Sequence, residues 1–289
     1  MKATVSKAFA TFKLNNGNSI PCLGLGTDAV KGKEHVYDLL LTSYKAGYRL
    51  IDSARMYGNE EDIGWALKKL EKDNKIPRAE FVLTSKILPG DTSYKGANAS
   101  LKKTLSALQT DYLDILLIHW PTDKVKKRIE CWKAMQEMYD KKVVRNIGVS
   151  NFTKVHLESL RKDPEVNMVP SINQIEVNPM YIDTETIEYC KAKGIQLESY
   201  CPLKQNDKAL LKNKEIESMS KKHGKTVAQV VLRWHLQNGY IALPRSNNPK
   251  HVVENANIFD FELSEKEMEK LNKLNVMDKQ DWDPHLLTN

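Results

Sequence analysis

Short runs of β-branched and leucine-rich residues recur along this chain. Each is followed by a longer stretch in which apolar positions return every three or four residues. The runs fall at residues 23–25, 49–51, 81–85, 115–119, 146–149, 172–176, 196–200 and 240–243. Their spacing is about 25–35 residues, widening to about 43 before the last, so each interval holds one strand and one crossover helix. Helices are expected at 34–46, 60–70, 94–108, 129–141, 153–161, 184–193, 226–238 and 250–255. Gly47 can end the first, acidic residues open the second, and Asp183-Thr184 and Lys225-Thr226 are cap regions. Eight units without a break in composition predict an α/β fold, a (β/α)8 TIM barrel in a single domain over 1–289. Ahead of the first unit, residues 11–14 and 19–20 flank Asn15-Asn16-Gly17-Asn18, a hairpin signal. This N-terminal β-hairpin is expected to close the barrel bottom.

Composition narrows the class. The chain has 289 residues and is 41% hydrophobic, which suits one large barrel. No apolar run approaches the roughly 20 residues needed to cross a bilayer. Residues 1–10 lack the apolar segment of a secretory signal. The four cysteines (Cys22, Cys131, Cys190, Cys201) are far apart and form no CxxC pair, so a reduced, cytoplasmic protein is expected. Cys201, after the strand run, can line a site, but a small filler at a strand end is the preferred reading. The net charge is +7, but the lysines are scattered along helical stretches such as Lys68-Lys69, Lys102-Lys103 and Lys221-Lys222. With no nucleic-acid-binding module present, they read as solvated faces.

The candidate chemistry sits at the ends of the runs. Asp52, Lys86 and His119 each stand where a run stops, and Tyr57 follows Asp52 by five residues. The C-terminal ends of barrel strands are where such folds carry reactive groups. A lysine beside a carboxylate stays charged. Beside a phenol it stabilises phenolate, so Tyr57 is expected to have a pKa below the usual value of about 10 and to protonate a carbonyl oxygen as hydride arrives.

Three other readings fare worse. Gly24-Leu25-Gly26-Thr27-Asp28-Ala29, with Asp52 downstream, imitates a dinucleotide fingerprint. A helix should begin inside that motif, yet Gly32 interrupts and the helical pattern starts near Glu34. The glycines read instead as a tight turn under a cofactor at the barrel mouth. A Schiff-base aldolase needs a lysine of depressed pKa, which an adjacent Asp opposes. The seven histidines form no H-x-H or H-E-x-x-H, so no metal is expected.

Several longer motifs carry a family resemblance. Asp52-Ser53-Ala54-Arg55-Met56-Tyr57-Gly58-Asn59-Glu60 resembles the D-x-A-x-x-Y-x-N-E signature of the aldo-keto reductases. Leu117-Ile118-His119-Trp120-Pro121, Ile147-Gly148-Val149-Ser150-Asn151-Phe152 and Asn173-Gln174-Ile175-Glu176 resemble further family motifs. So does Leu243-Pro244-Arg245-Ser246, followed by Glu254-Asn255. The likeness runs from about Thr11 to Met268.

The resemblance implies a barrel that binds NADP(H) extended across its mouth. It implies Tyr57 as general acid, Lys86 tuning it, Asp52 holding Lys86, and His119 orienting the carbonyl. Tyr200 matches the residue that stacks on nicotinamide, and Ser150, Asn151 and Gln174 match those that hold its carboxamide. Arg245 and Ser246 match residues that grip the adenosine 2′-phosphate. Gly26, Thr27, Asp52, Pro202, Leu203, Asn247, His251, Glu254 and Asn255 complete the implied cofactor contacts. Asp28, Tyr57, His119 and Trp120 are the implied substrate contacts.

The chain departs from the pattern in five places. Arg245 replaces the usual Lys and adds a planar fork. His251 stands where an Arg is common, which weakens the grip on a phosphate. Asp28 replaces a tryptophan that follows Gly-Thr in many members, and residues 87–91 lack another. A carboxylate there favours small, polar or sugar-like carbonyls. The tail, 278–289, is short and implies an open pocket, with Trp282 as a residue that can fold over it. The reading is an NADPH-dependent reductase acting on a small-molecule carbonyl, as a monomer without membrane or nucleic-acid partners. The alternative is a non-catalytic, cofactor-binding regulatory subunit of the same fold.

Overall fold

In the computed structural model, residues 9–122, 124–280 and 282–287 are described. Strands β1 (Thr11–Lys13) and β2 (Ser19–Pro21) form the hairpin, pairing Thr11 with Pro21 and Lys13 with Ser19. Then strand and helix alternate: β3 (Gly24–Gly26), α1 (Lys33–Ala46), β4 (Leu50–Asp52), α2 (Glu60–Asn74), β5 (Val82–Ile87), α3 (Tyr94–Leu108). They continue with β6 (Ile115–Ile118), α4 (Val125–Asp140), β7 (Ile147–Ser150), α5 (Lys154–Arg161), β8 (Ile172–Glu176), α6 (Thr184–Ala192) and β9 (Gln196–Tyr200). Three helices follow, α7 (Lys208–Leu211), α8 (Lys214–His223) and α9 (Val227–Gln237), before β10 (Ile241–Ala242), α10 (Pro249–Ala256) and α11 (Glu265–Asn272). The wide interval before the last strand therefore holds three helices, where the sequence pattern placed one.

Strands β3 to β10 pair in chain order, all parallel. Bridges from Leu23 to Ala242 and from Gly26 to Arg245 bring the last strand back to the first. The sheet is a nearly closed barrel with its helices outside. The expected strands are all present, shifted at their ends by one or two residues. One shift matters: Lys86 lies within β5, with Ile87 beyond it, and does not terminate the strand.

The two glycines of the fingerprint-like motif lie in β3 and not in a turn, which corrects the expectation. A Cβ on Gly24 would stand 2.7 Å from Leu50 and Leu243 side-chain atoms, and one on Gly26 would stand 3.1 Å from the Leu243 carbonyl oxygen. They are small because the barrel closes on them. Helix α1 starts only at Lys33.

The hairpin covers the N-terminal ends of the strands, as its sequence predicted. Leu14 and Ile20 pack with the inward-facing Leu50, Ile115, Leu117, Ile172, Ile241 and Leu243. Asn15 donates to the Pro170 carbonyl, and Asn16 and Asn18 both donate to Asn146 Oδ1. The opposite, C-terminal end is left for the site. A larger buried layer between strands and helices carries the rest of the core. No helix among the described residues is long and apolar enough to cross a membrane.

Candidate active site

Neighbouring strands bring the candidate groups together. Asp52 ends β4, and Lys86 rises from β5 beside it. The Lys86 ammonium donates to Asp52 Oδ1 at 2.7 Å and Oδ2 at 2.8 Å, to the Ser53 carbonyl at 3.1 Å, and to the Tyr57 phenol at 3.1 Å. Tyr57 reaches this point from a single 3-10 turn, Arg55–Tyr57, which Gly58 ends with φ 64°. His119 follows β6 directly. Its ring meets that of Tyr57 edge to face, 5.9 Å between centroids. Lys86 is buried beneath the cleft floor, while Asp52, Tyr57 and His119 line the cleft itself.

The electrostatics differ from the sequence expectation at one point. Burial pushes the Tyr57 phenol up to about 12. Lys86 pulls it down, but Asp52 adds to the rise, so the phenol is not in the depressed range. Burial disfavours the Lys86 charge, yet Asp52 and Tyr57 together outweigh it and hold the ammonium above its usual range. Burial takes His119 down to about 3, and Lys86 pushes the same way, so the imidazole is neutral. Its Nδ1 is buried with no partner among the described residues.

The cleft above these groups has a volume of about 340 Å³. Ser150, Asn151 and Gln174 form one wall, from the ends of β7 and β8. Ser150 donates to the Gln174 carbonyl at 2.8 Å, and Asn151 Nδ2 donates to the His119 carbonyl at 3.0 Å. Tyr200, at the end of β9, donates to Asn151 Oδ1 at 2.7 Å. Pro202 and Leu203 carry the wall onward, and Gly26, Asp28, Trp120 and Arg245 also line the cleft. Arg245 stands 3.4 Å from Asp28 across the mouth, so Asp28 faces a cation and not only a substrate position.

Other expected residues lie outside the cleft wall. Thr27 is buried, donating to the Asp52 carbonyl and bound by Asn59, so it braces β3 against β4. Ser246 takes the Asn248 amide on the loop into α10, where Asn248 caps the helix. Asn247 and His251 are exposed beside that helix N-terminus. Glu254 takes the Thr226 hydroxyl, and Asn255 is buried.

Sequence reasoning missed several contributors. Gln205 and Asn206 line the cleft together with Cys201, for which the sequence favours the filler reading over the site-lining one. Cys201, Lys204, Gln205 and Asn206 all have positive φ, between 46° and 63°, a loop path that non-glycine residues seldom take. The short tail, expected to leave the pocket open, lies against its rim. Lys279 pairs with the buried Glu176 at 3.0 Å and reaches the Tyr200 hydroxyl at 3.2 Å. Gln280 gives its amide to Glu176, and Asp278 binds the buried Lys204 at 2.6 Å. Trp282 meets Trp120 edge to face at 5.1 Å. Nothing local in the sequence joins Glu176 to Lys279.

The donor set fits a nicotinamide dinucleotide phosphate. Amide and hydroxyl side chains gather along one cleft wall, a guanidinium stands on the rim, and a helix N-terminus lies just beyond it.

Comparison with known proteins places the chain in one family. Residues 22–276 match the profile of the "Aldo/keto reductase family". Over 266 residues the chain is 42% identical to glyoxal reductase of Bacillus subtilis, covering 92% of each chain. It is 37% identical to an aldehyde reductase of Saccharomyces cerevisiae over 285 residues, covering 90% of this chain and 89% of that one. Among solved structures, the Bombyx mori aldo-keto reductase in complex with NADP superposes with a TM-score of 0.87 at 27% identity, over 96% of both chains.

Proposed function

The chain belongs to the aldo/keto reductase family of oxidoreductases, and on that premise we propose that it reduces small polar aldehydes and ketones to alcohols with NADPH. The observation that carries this reading is the Lys86 ammonium, held by Asp52 and donating to Tyr57 at the floor of a cleft with an amide-rich wall. The chain reads as one barrel domain. The intact group of four side chains favours catalysis over a purely regulatory, cofactor-binding role.

The chemistry that a bound reduced nicotinamide supplies is hydride delivery to a carbonyl carbon. Gln174, Asn151 and Ser150 would hold its carboxamide, with Tyr200 against the ring. Arg245, Ser246 and the N-terminus of α10 would take the 2′-phosphate, with Asn247 and His251 beside them.

Tyr57 donates its phenolic proton to the carbonyl oxygen as negative charge develops there. Its high pKa keeps the proton in place until that moment. Lys86 stays charged and stabilises the phenolate left behind, and Asp52 keeps Lys86 in position. His119 is neutral, and its Nδ1 has no acceptor among the described residues, which favours the proton on Nε2. From there it hydrogen-bonds the carbonyl oxygen and orients it without competing as an acid. Asp28 and the Trp120–Trp282 pair bound the substrate side, a mixture of one carboxylate and two aromatic faces. That mixture suits small, oxygen-rich carbonyls such as glyoxal-like dicarbonyls, in line with the activity named for the Bacillus relative.

The test is a steady-state assay that follows NADPH absorbance with aldehydes, aldoses and dicarbonyls. Oxidation of NADPH by the dicarbonyls and short aldehydes is expected. Bound NADPH with no turnover on any of them would favour the regulatory role.

A further inference from the structure

One buried acid takes no part in the chemistry above. Glu198 lies in the middle of β9, fully buried and in register with Gln174 of β8. Its Oε2 accepts from Gln174 Nε2 at 2.9 Å, and its Oε1 has no partner among the described residues. The same Gln174 nitrogen donates to Asp52 Oδ1 at 2.8 Å. Both hydrogens of that amide are therefore spent on carboxyl groups. The hydrogen-bonded line runs from Glu198 through Gln174 and Asp52 to Lys86 and Tyr57.

This arrangement fixes which way Gln174 points. Carboxylates only accept, so the nitrogen must face Asp52 and Glu198, and the amide oxygen must face away from them. With Asp52 alone, the amide would pivot about a single hydrogen bond. With Glu198 as well, its plane is set. Gln174 also lines the cleft.

We propose that Glu198 is a positioning residue for the cofactor: it locks the Gln174 amide so that the oxygen faces the cleft and accepts an N–H of the nicotinamide carboxamide. This rests on the NADPH reading given above. Burying an acid whose second oxygen has no partner among the described residues carries a desolvation cost, which a polar task for the residue would offset. The charged groups around Glu198 are Asp52 and Lys86, while β10 on its other side contributes only Ile241 and Ala242. Burial and the Asp52 charge push the Glu198 carboxyl up to about 7. Its neutral and ionised forms both accept from Gln174, so a glutamine in its place should hold Gln174 as well.

The experiment titrates NADPH into wild type, Glu198→Gln and Glu198→Leu by tryptophan fluorescence. It also measures kcat with a generic aldehyde at saturating NADPH. Glu198→Leu is expected to bind NADPH five- to tenfold more weakly, where tenfold corresponds to about 1.4 kcal/mol. Glu198→Gln should bind within about twofold of wild type, and kcat should change less than about threefold in both, since the proton donor is untouched. Glu198→Thr, too short to reach Gln174, carries the same expectation as the leucine variant if that one fails to fold.

Wild-type affinity in the leucine and threonine variants overturns the proposal. So does a glutamine variant as weak as leucine, or a loss confined to kcat. Failure of both the leucine and threonine variants to fold assigns Glu198 to the fold alone and overturns it too. Wild type that does not bind NADPH overturns the proposed function and this inference with it, so the wild-type titration tells the two failures apart.

Discussion

Lys86 donates a 3.1 Å hydrogen bond to the phenolic oxygen of Tyr57, yet the phenol is raised and not lowered, to about 12. A lysine depresses a neighbouring phenol when the pair is solvated. Here burial and Asp52 outweigh it. The sign is clear for activity: reduction needs protonated Tyr57 and is lost only as pH rises toward that high value. With NADPH saturating, kcat should stay within about twofold from pH 7.5 to 10. A half-maximal rate below pH 9 would return the phenol to the depressed range.

Arg245 and Asp28 form an exposed ion pair, 3.4 Å apart, across the cleft mouth. If Arg245 grips the 2′-phosphate, Arg245→Met should weaken NADPH binding by about ten- to a hundredfold, the scale of a lost charge-assisted hydrogen bond. NADH, lacking that phosphate, should lose less than about threefold. Asp28→Asn releases Arg245 and should tighten NADPH by no more than about threefold, because exposed pairs are weak. Calorimetric titration of both coenzymes reads this, and equal losses for NADPH and NADH would remove Arg245 from the phosphate site.

Trp282 rests edge-on against Trp120 while remaining 44% exposed. Its ring meets the pocket-lining Trp120 and nearly half of its surface is exposed, so Trp282→Ala should leave the melting temperature within about 2 °C. KM for aromatic aldehydes should rise about three- to tenfold, as expected for losing an aromatic pair. KM for a two-carbon dicarbonyl should change little. A uniform change across both substrates would mean that Trp282 does not face the substrate.

Gly148 lies in β7, where an added Cβ would stand 2.6 Å from the Ile172 carbonyl oxygen on the neighbouring strand. That atom belongs to the barrel backbone and cannot step aside cheaply. Gly148→Ala should lower stability by about 1–3 kcal/mol, the usual cost of overpacking. Urea denaturation measures it, and an unchanged midpoint would show that β7 and β8 have slack.

Much of this was legible in the chain. Buried parallel strands read as apolar runs, so β4 to β7 stood out, and so did the ionisable residues at or near their ends. The hairpin showed through Asn-Gly chemistry. Helices α8 and α11 did not, because Lys214–His223 and Glu265–Asn272 each bury only two side chains and are otherwise mostly charged or polar. Glu198 was hidden for a related reason: an acid within a strand looks like a solvent-facing position. Only barrel closure turns it inward, beside Gln174. The direction of the Tyr57 shift was hidden because burial is a property of the assembled cleft. The Glu176–Lys279 pair joins residues 103 apart in sequence, and no local pattern signals it.

The most direct test compares wild type with Tyr57→Phe, measuring NADPH binding and NADPH oxidation by a dicarbonyl on the same samples. The phenylalanine keeps the ring and removes only the proton donor. NADPH affinity should stay within about threefold while kcat falls by at least about a hundredfold, the usual contribution of a positioned acid. A Tyr57→Phe enzyme that turns over within about threefold of wild type would contradict the assignment of Tyr57 as the acid and, with it, the account of the Lys86–Asp52 pair beneath it.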